Sequence, residues 1–136
     1  MEKIKQIAFP IIGIPEPNKK IFFVQDPEIT SAILLGISIP KVGTDISASF
    51  KLNGAELLPD ADLNRFFITL CDYKGNELHK NLVPYTLQPA NNNGKIKKMF
   101  YNNIDLKKSY LTVNRQLSGN SKIILFNFHI KTPDLR

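Results

Sequence analysis

Two histidines, one cysteine and a few hydroxyl and carboxyl groups are the side chains of this chain whose chemistry could support catalysis or metal binding. His79 and His129 are the only histidines, and each stands alone in a strand-like pattern without further ligands at metal-binding spacing. Cys71 is the only cysteine, which excludes an intrachain disulfide and a Cys-based zinc site. The pattern favours a small buried hydrophobe for Cys71 and solvated or capped strand positions for both histidines.

The hydroxyl and carboxyl candidates also have structural interpretations. Ser47 and Ser49 lie in an alternating stretch that lacks the flanking glycines of a nucleophile elbow. Asp60 and Asp62 could hold Ca²⁺, but no third ligand follows at loop spacing, so a turn and a cap are favoured. No glycine-rich phosphate loop is present. The sequence therefore predicts no catalytic residue, no metal, no cofactor and no enzymatic activity.

One cluster of basic and aromatic side chains has the character of a binding surface. It consists of Lys95, Lys97, Lys98, Phe100, Tyr101, Lys107, Lys108 and Tyr110. Lysines that follow a phosphate backbone, with rings that stack on bases, are what single-stranded nucleic acid requires. Phe100 and Tyr110 would serve equally well as core residues, and the lysines as a solvated face. The candidate polyanion-binding residues are Lys95, Lys97, Lys98, Tyr101, Lys107 and Lys108.

Charge is spread unevenly over the 136 residues, whose net charge is +6. Residues 1–68 contain seven Lys/Arg and eight Asp/Glu, a balance of −1, whereas residues 69–136 contain eleven and four, a balance of +7. A basic half indicates a polyanionic partner, or else a Lys- and Asn-rich composition from an A/T-rich genome. No stretch approaches the roughly 20 apolar residues of a membrane-spanning helix, and an early Pro10 argues against a secretory signal.

The elements that must position these side chains are strands. The run Lys122 to Lys131 has an unbroken apolar face at every second residue, and its other face begins apolar and ends polar. This pattern predicts a strand near the middle of a sheet. Asn53-Gly54 predicts a type I′ hairpin turn, and Ser118-Gly119-Asn120 a hairpin turn into the last strand.

Further strands are predicted over residues 20–25, 32–39, 45–53, 55–58, 64–73, 77–88, 97–101 and 109–116. One helical turn is the alternative for 97–101, and a bulge or bend is expected at Pro84. The side chains expected in the core are Phe50, Phe66, Leu70, Leu111, Val113, Phe126 and Phe128. Residues 1–17 contain too many prolines for a central strand and too many isoleucines for a free tail. An edge strand or an extended arm, ordered against a neighbouring subunit, is predicted there.

Short strands separated by Gly, Pro and Asn, without an amphipathic helix, predict an all-β protein. The expected fold is one antiparallel β-sandwich or barrel over residues 1–136, with an extended N-terminal arm over 1–17. An eight-stranded jelly roll is favoured, and an immunoglobulin-like sandwich is the alternative.

Several stretches resemble small structural proteins of phages that infect Bacteroidetes. They are Ile11-Ile12-Gly13-Ile14-Pro15, Ile21 to Asp26, Asn93-Gly94-Lys95 and Tyr101 to Asn114. The chain is similar there to vertex (penton-type) and minor capsid proteins of tailless, lipid-containing phages with jelly-roll shells. The resemblance implies a virion protein, assembled in the host cytoplasm as a homo-oligomer, with a pentamer suspected, together with other capsid proteins. It carries over no functional residue.

Two other classes of function remain open from the residues. A β-barrel module that binds single-stranded nucleic acid is favoured by the basic C-terminal half. A receptor- or glycan-binding sandwich would need aromatic side chains on its loops, and few are present. We therefore expect a capsid subunit that assembles through its sandwich surfaces and its arm, with a nucleic-acid-binding module as the alternative.

Overall fold

The computed structural model describes residues 2–11, 16–47, 49–114 and 122–132 of the chain. The protein is mostly β, with 50% strand and 14% helix, and its strands form two open sheets of six and four strands. The prediction of a mostly β protein is confirmed. Helices in the described ranges have only three or four residues each, so none of them could cross a membrane.

The regular structure of these residues consists of short strands joined by turns. The strands are β1 (Glu2–Ile11), β2 (Lys20–Phe22), β3 (Ile33–Ser38), β4 (Lys51–Leu52), β5 (Ala55–Leu57), β6 (Phe66–Cys71), β7 (Glu77–Leu82), β8 (Lys97–Tyr101), β9 (Tyr110–Val113) and β10 (Lys122–Lys131). One α-helical turn, α1, spans Pro27–Thr30, and 3₁₀ turns span Asp60–Asp62, Pro84–Leu87, Pro89–Asn91 and Leu106–Lys108.

Strand β10 is the centre of the six-stranded sheet, as its sequence predicts. It pairs with β1 along its whole length, and on its other side it pairs with β3 and, in parallel, with the end of β5. Its core-facing side chains are at most 2% exposed: Ile124, Phe126, Phe128 and Ile130. On the opposite face Ile123 and Leu125 are buried under Val42 and Ile46 in a second, smaller apolar cluster. Both faces of β10 are therefore covered over part of its length.

Eight of the strands, all except β4 and β5, form a nested set of antiparallel pairs. The outermost pair is β1 with β10, followed by β2 with β9, β3 with β8 and, innermost, β6 with β7. Contacts between β10 and β3 and between β6 and β9 then complete the sheet orders β1-β10-β3-β8 and β2-β9-β6-β7. The chain thus changes sheet at every connection between these strands except the β6–β7 hairpin.

One hydrophobic core draws side chains from both sheets. Phe126 and Phe128 of the larger sheet meet Phe23, which follows β2, at ring-centroid distances of 5.6 and 6.1 Å. Phe9 of β1 closes on the same Phe23 at 4.7 Å. From the smaller sheet the side chains of β6 and β9 that were predicted to be buried are 0% exposed: Phe66, Leu70, Leu111 and Val113. The faces of these strands are therefore those that alternation predicts.

The N-terminal segment is not the arm predicted over residues 1–17. Over residues 2–11 it forms β1, the edge strand of the domain's own sheet. Phe9 and Ile11 are 3% and 2% exposed, because alternate residues of β1 point into the core. The predicted edge position is confirmed, and the prediction that this part orders against a neighbouring subunit is wrong. Residues 12–15 lie outside the described part of the chain.

The stretch 45–53 is not the regular strand that its alternation predicts. Its backbone turns on itself: the Asp45 amide donates to the Lys41 carbonyl at 2.9 Å, and the Phe50 amide donates to the Ser47 carbonyl at 3.0 Å. Hydrogen bonds used within a turn are not available to a sheet ladder. Among the described residues of this stretch only Lys51 and Leu52 belong to a strand, β4, and the Phe50 side chain is 36% exposed. The prediction that Phe50 is buried is wrong.

Of the two hairpins predicted from turn residues, the structure contains one. Asn53 and Gly54 have φ values of 53° and 81°, as a type I′ turn requires, and they join β4 to β5. The predicted hairpin between β9 and β10 is wrong, because β9 pairs with β2 and β6 in the smaller sheet. Its predicted turn, Ser118-Gly119-Asn120, lies outside the described residues. Strand β7 ends at Leu82, before the bend expected at Pro84, and a 3₁₀ turn follows.

Candidate functional site

The predicted basic cluster begins on the edge strand of the larger sheet and ends in a turn that packs against the smaller sheet. Lys97 and Lys98 begin β8, whereas Lys107 and Lys108 belong to the 3₁₀ turn beyond its other end. β8 lies between the two groups in the chain, and its five residues at about 3.3 Å each span roughly 16 Å. All of these lysines, and Lys95 before the strand, are exposed. We call residues 95–108 the β8 rim.

Strand alternation directs successive side chains of β8 to opposite faces. Lys97 is paired with the buried Ile37 and therefore lies on the side between the sheets, whereas Lys98 is paired with Gly36 on the outer face. Phe100 has the parity of Lys98 and is 68% exposed. The interpretation of Phe100 as a core residue is therefore wrong, and its ring is available on the outer face.

Tyr101 joins the two sheets instead of presenting a ring to solvent. Its hydroxyl lies 2.9 Å from Nδ1 of His79 on β7, and the two rings meet edge to face at 6.0 Å. Burial and the nearby charge of Lys97 lower the pKa of His79, so the neutral imidazole is favoured in this bridge. Tyr101 is thus a structural contact at the base of the β8 rim.

Tyr110 lies on a different surface, the outer face of the smaller sheet. Its hydroxyl donates to Glu77 at 3.1 Å, and the Lys20 ammonium lies 4.6 Å above the ring centroid. Phe22, which is 52% exposed, meets the same ring at 5.5 Å. The structure therefore separates Tyr110 from Phe100 and gives it two partners, Phe22 and Lys20, that are distant in sequence.

Local capping holds the far end of the β8 rim in place. The Asp105 carboxylate accepts from the Lys107 amide at 3.1 Å, and the Asp105 amide donates to the Cys71 carbonyl at 2.9 Å. Ser109 is buried, and its hydroxyl oxygen accepts a hydrogen bond from the Cys71 amide at 3.0 Å. These bonds fix the turn against β6, so that the side chains of Lys107 and Lys108 extend into solvent.

Between the two groups of lysines the rim borders a shallow pocket of about 330 Å³. Its polar lining comes from Asn102 and Asn103 after β8 and from Thr30 and Ser31 at the end of α1. Within the described part of the chain neither asparagine side chain has a hydrogen-bond partner. No motif marks this pocket in the sequence, because its two walls are about 70 residues apart.

His129 lies in a groove on the outer face of the larger sheet. Its Nε2 lies 2.8 Å from the Ser38 hydroxyl, and burial lowers its pKa. The groove has a volume of about 410 Å³ and is bordered by Ile4, Leu35 and Ile96. Both histidines are therefore capped strand residues, and the described residues contain no group of three potential metal ligands.

The remaining candidates have structural roles. The Asp60 carboxylate accepts from the Gln88 amide group at 2.7 Å and from the Val42 backbone amide at 3.3 Å, which ties three loops together. Asp62 is 1% exposed and lies 3.3 Å from Arg65. The Cys71 thiol is 2% exposed, and burial raises its pKa, so the unreactive thiol form is favoured.

Comparison of the chain with protein-family models, with curated proteins and with solved structures found no match.

Proposed function

We propose that this chain is a jelly-roll subunit of a phage capsid, of the vertex or minor capsid type. The observation that supports the jelly roll is the nested pairing of eight strands in the orders β1-β10-β3-β8 and β2-β9-β6-β7. A long antiparallel ribbon that is rolled up so that its strands alternate between two sheets has this pairing. The hairpin β4–β5 is then an insertion between two strands of the roll.

The filled interior favours a structural role over ligand binding inside the roll. Bulky side chains such as Phe66, Phe126 and Phe128 are 0% exposed and occupy the space between the sheets. Jelly rolls occur in capsid proteins, lectins and cupins, so the fold alone does not choose among these functions. Because the core is filled, contacts with other molecules would be made by the outer surfaces and edges of the sheets, as an assembling subunit requires.

Apolar side chains on both outer faces support assembly. Ile4 on the larger sheet is 59% exposed, and Phe22 and Val24 on the border of the smaller sheet are 52% and 77% exposed. Large apolar side chains on a surface are typical of protein contacts when they are grouped. Because β1 belongs to the domain itself, we propose that subunits meet through these faces and not through an exchanged arm.

The test is the oligomeric state of the purified chain, measured by native mass spectrometry between 1 and 100 µM, together with a search for the chain in purified particles. We expect a closed homo-oligomer, with five copies for a vertex protein, and incorporation into virions. Ile4→Lys and Phe22→Ser should weaken the assembly, whereas Tyr73→Ser, at a turn residue that is 62% exposed, should leave it unchanged. A chain that is monomeric throughout and absent from particles would overturn the proposal.

A further inference from the structure

Positive charge on the β8 rim is not neutralised within the protein. The lysines without an ion pair in the described part of the chain include Lys95, Lys97, Lys98, Lys107 and Lys108. Neighbouring carboxylates form other contacts: Asp72 caps the turn before β7, Asp105 caps the rim turn, and Glu77 accepts from Tyr110 and lies 3.9 Å from Lys80. Five lysines and one carboxylate, Asp105, lie within these 14 residues, so the rim has a net charge of +4.

The rim also presents an exposed aromatic ring between its charged ends. Phe100 lies on the outer face of β8, two residues after Lys98, and is 68% exposed. An isolated ring at this exposure gains little from packing within the protein. A flat ring bordered by lysines is the arrangement on which nucleobases stack while phosphates contact the ammonium groups.

The pocket beside the rim fits the same ligand. Its volume of about 330 Å³ lies at the lower end of the range for small-molecule sites. The free amides of Asn102 and Asn103 and the hydroxyls of Thr30 and Ser31 can donate and accept hydrogen bonds, as the edge of a base requires.

We propose that the β8 rim binds single-stranded nucleic acid. Lysines at both ends of β8 contact successive phosphates, Phe100 stacks on one base, and the pocket of Asn102 and Asn103 receives the edge of the next base. The proposal is independent of the capsid role, because the rim is complete within one chain.

Single strands fit this surface better than the other polyanions. A duplex hides its base faces, so it could use the lysines but neither the exposed Phe100 ring nor the polar pocket. An acidic protein segment could also use the lysines, but carboxylates have no flat face for the ring. Involvement of Phe100 therefore separates the nucleic acid from an acidic peptide.

The experiment is fluorescence anisotropy of the full chain with labelled ten-nucleotide dT and U oligomers between 50 and 200 mM salt. With five phosphate contacts, log K should fall with log salt at a slope of about −3.5, or about 100-fold over this range. Lys107→Ala with Lys108→Ala should reduce the slope to about −2. Lys19→Ala with Lys41→Ala, two exposed lysines outside the rim that also have no ion pair, is the matched control and should leave it unchanged.

Phe100→Leu tests stacking, because it keeps an apolar side chain and removes the ring. It should weaken binding about 5- to 100-fold at constant salt slope, whereas Phe22→Leu, at an exposed ring outside the rim, should have no effect. Binding that is absent at 50 mM salt, or equal in the rim and control lysine variants, would overturn the proposal. So would equal affinity for poly-glutamate without an effect of Phe100→Leu, which would indicate an acidic protein partner. Mass spectrometry of the same samples reports assembly separately, so either proposal can fail without the other.

Discussion

Phe126→Ala is the substitution that most directly tests the arrangement of the core. The Phe126 side chain is 0% exposed and belongs to the central strand β10. Its ring centroid lies 5.6 Å from Phe23, 6.0 Å from Phe9 and 6.3 Å from Phe128. Alanine would leave a cavity at the point where β1, β10 and the chain after β2 meet.

The expected loss of unfolding free energy is about 4 kcal/mol, within the range of about 3 to 5 kcal/mol for buried Phe→Ala. The lost contacts with three rings, two of them edge to face, favour the upper half of that range. A domain of this size is stable by roughly 5 to 15 kcal/mol, so the variant should lose a quarter or more of its stability.

Urea unfolding followed by far-ultraviolet circular dichroism is the suitable assay, since the chain contains no Trp. With a slope of about 2 kcal/mol per molar urea, the midpoint should fall by about 2 M. Phe100→Ala is the matched control: the same atoms are removed from a strand residue that is 68% exposed. Its cost should stay below about 0.5 kcal/mol.

A loss under about 1 kcal/mol for Phe126→Ala would refute the assignment of the core face of β10. An equal loss for both variants would mean that the Phe100 ring is covered in solution, which would also count against the β8 rim as an open surface.

Three other predictions follow from the same structure. Deleting residues 2–11 should give an unfolded or aggregated chain, because the whole edge of β10 would be exposed; a soluble chain with the native circular dichroism spectrum would contradict this. Gly36→Ala should cost about 1 to 3 kcal/mol in urea unfolding, since its Cβ would stand 2.8 Å from the Lys97 carbonyl oxygen; an unchanged midpoint would show that β8 can move away. Burial lowers the pKa of His79 and His129, so the unfolded chain binds protons first and stability should fall as pH drops through about 6.5. Replacing both histidines with Gln should flatten this dependence between pH 7.5 and 5.5, and an unaltered slope would assign it to other groups.

Local patterns in the sequence predicted those features that depend on residues close together in the chain: strand bounds, strand faces and one turn. The bounds of β8 and β10 and the faces of β6 and β10 follow from alternation, because a side chain that points inward repeats every second residue. The Asn53-Gly54 turn follows from the φ values that these two residues tolerate. The single Cys71 and the two isolated histidines predicted structural positions, and the structure gives each of them a buried or capped environment.

The sequence predicted which residue types form the candidate site, but not which of them lie on the same surface. The sequence grouped Tyr101 and Tyr110 with the lysines, but strand parity and sheet membership give these rings different partners, His79 and Glu77. Phe100 had two equal interpretations, because alternation alone does not tell which face of an edge strand is covered.

Pairing between strands was decided by the tertiary structure. Residues 2–11 are extended in either interpretation, but only the contact with β10 makes Phe9 and Ile11 part of the core instead of an arm. The stretch 45–53 alternates as a strand does, yet its backbone hydrogen bonds close a turn. β9 and β10 are neighbours in the chain and lie in different sheets, and Leu111 of β9 and Phe126 of β10 are buried in the same core. Alternation specifies which side of a strand is apolar, and the partner that covers that side comes from anywhere in the chain.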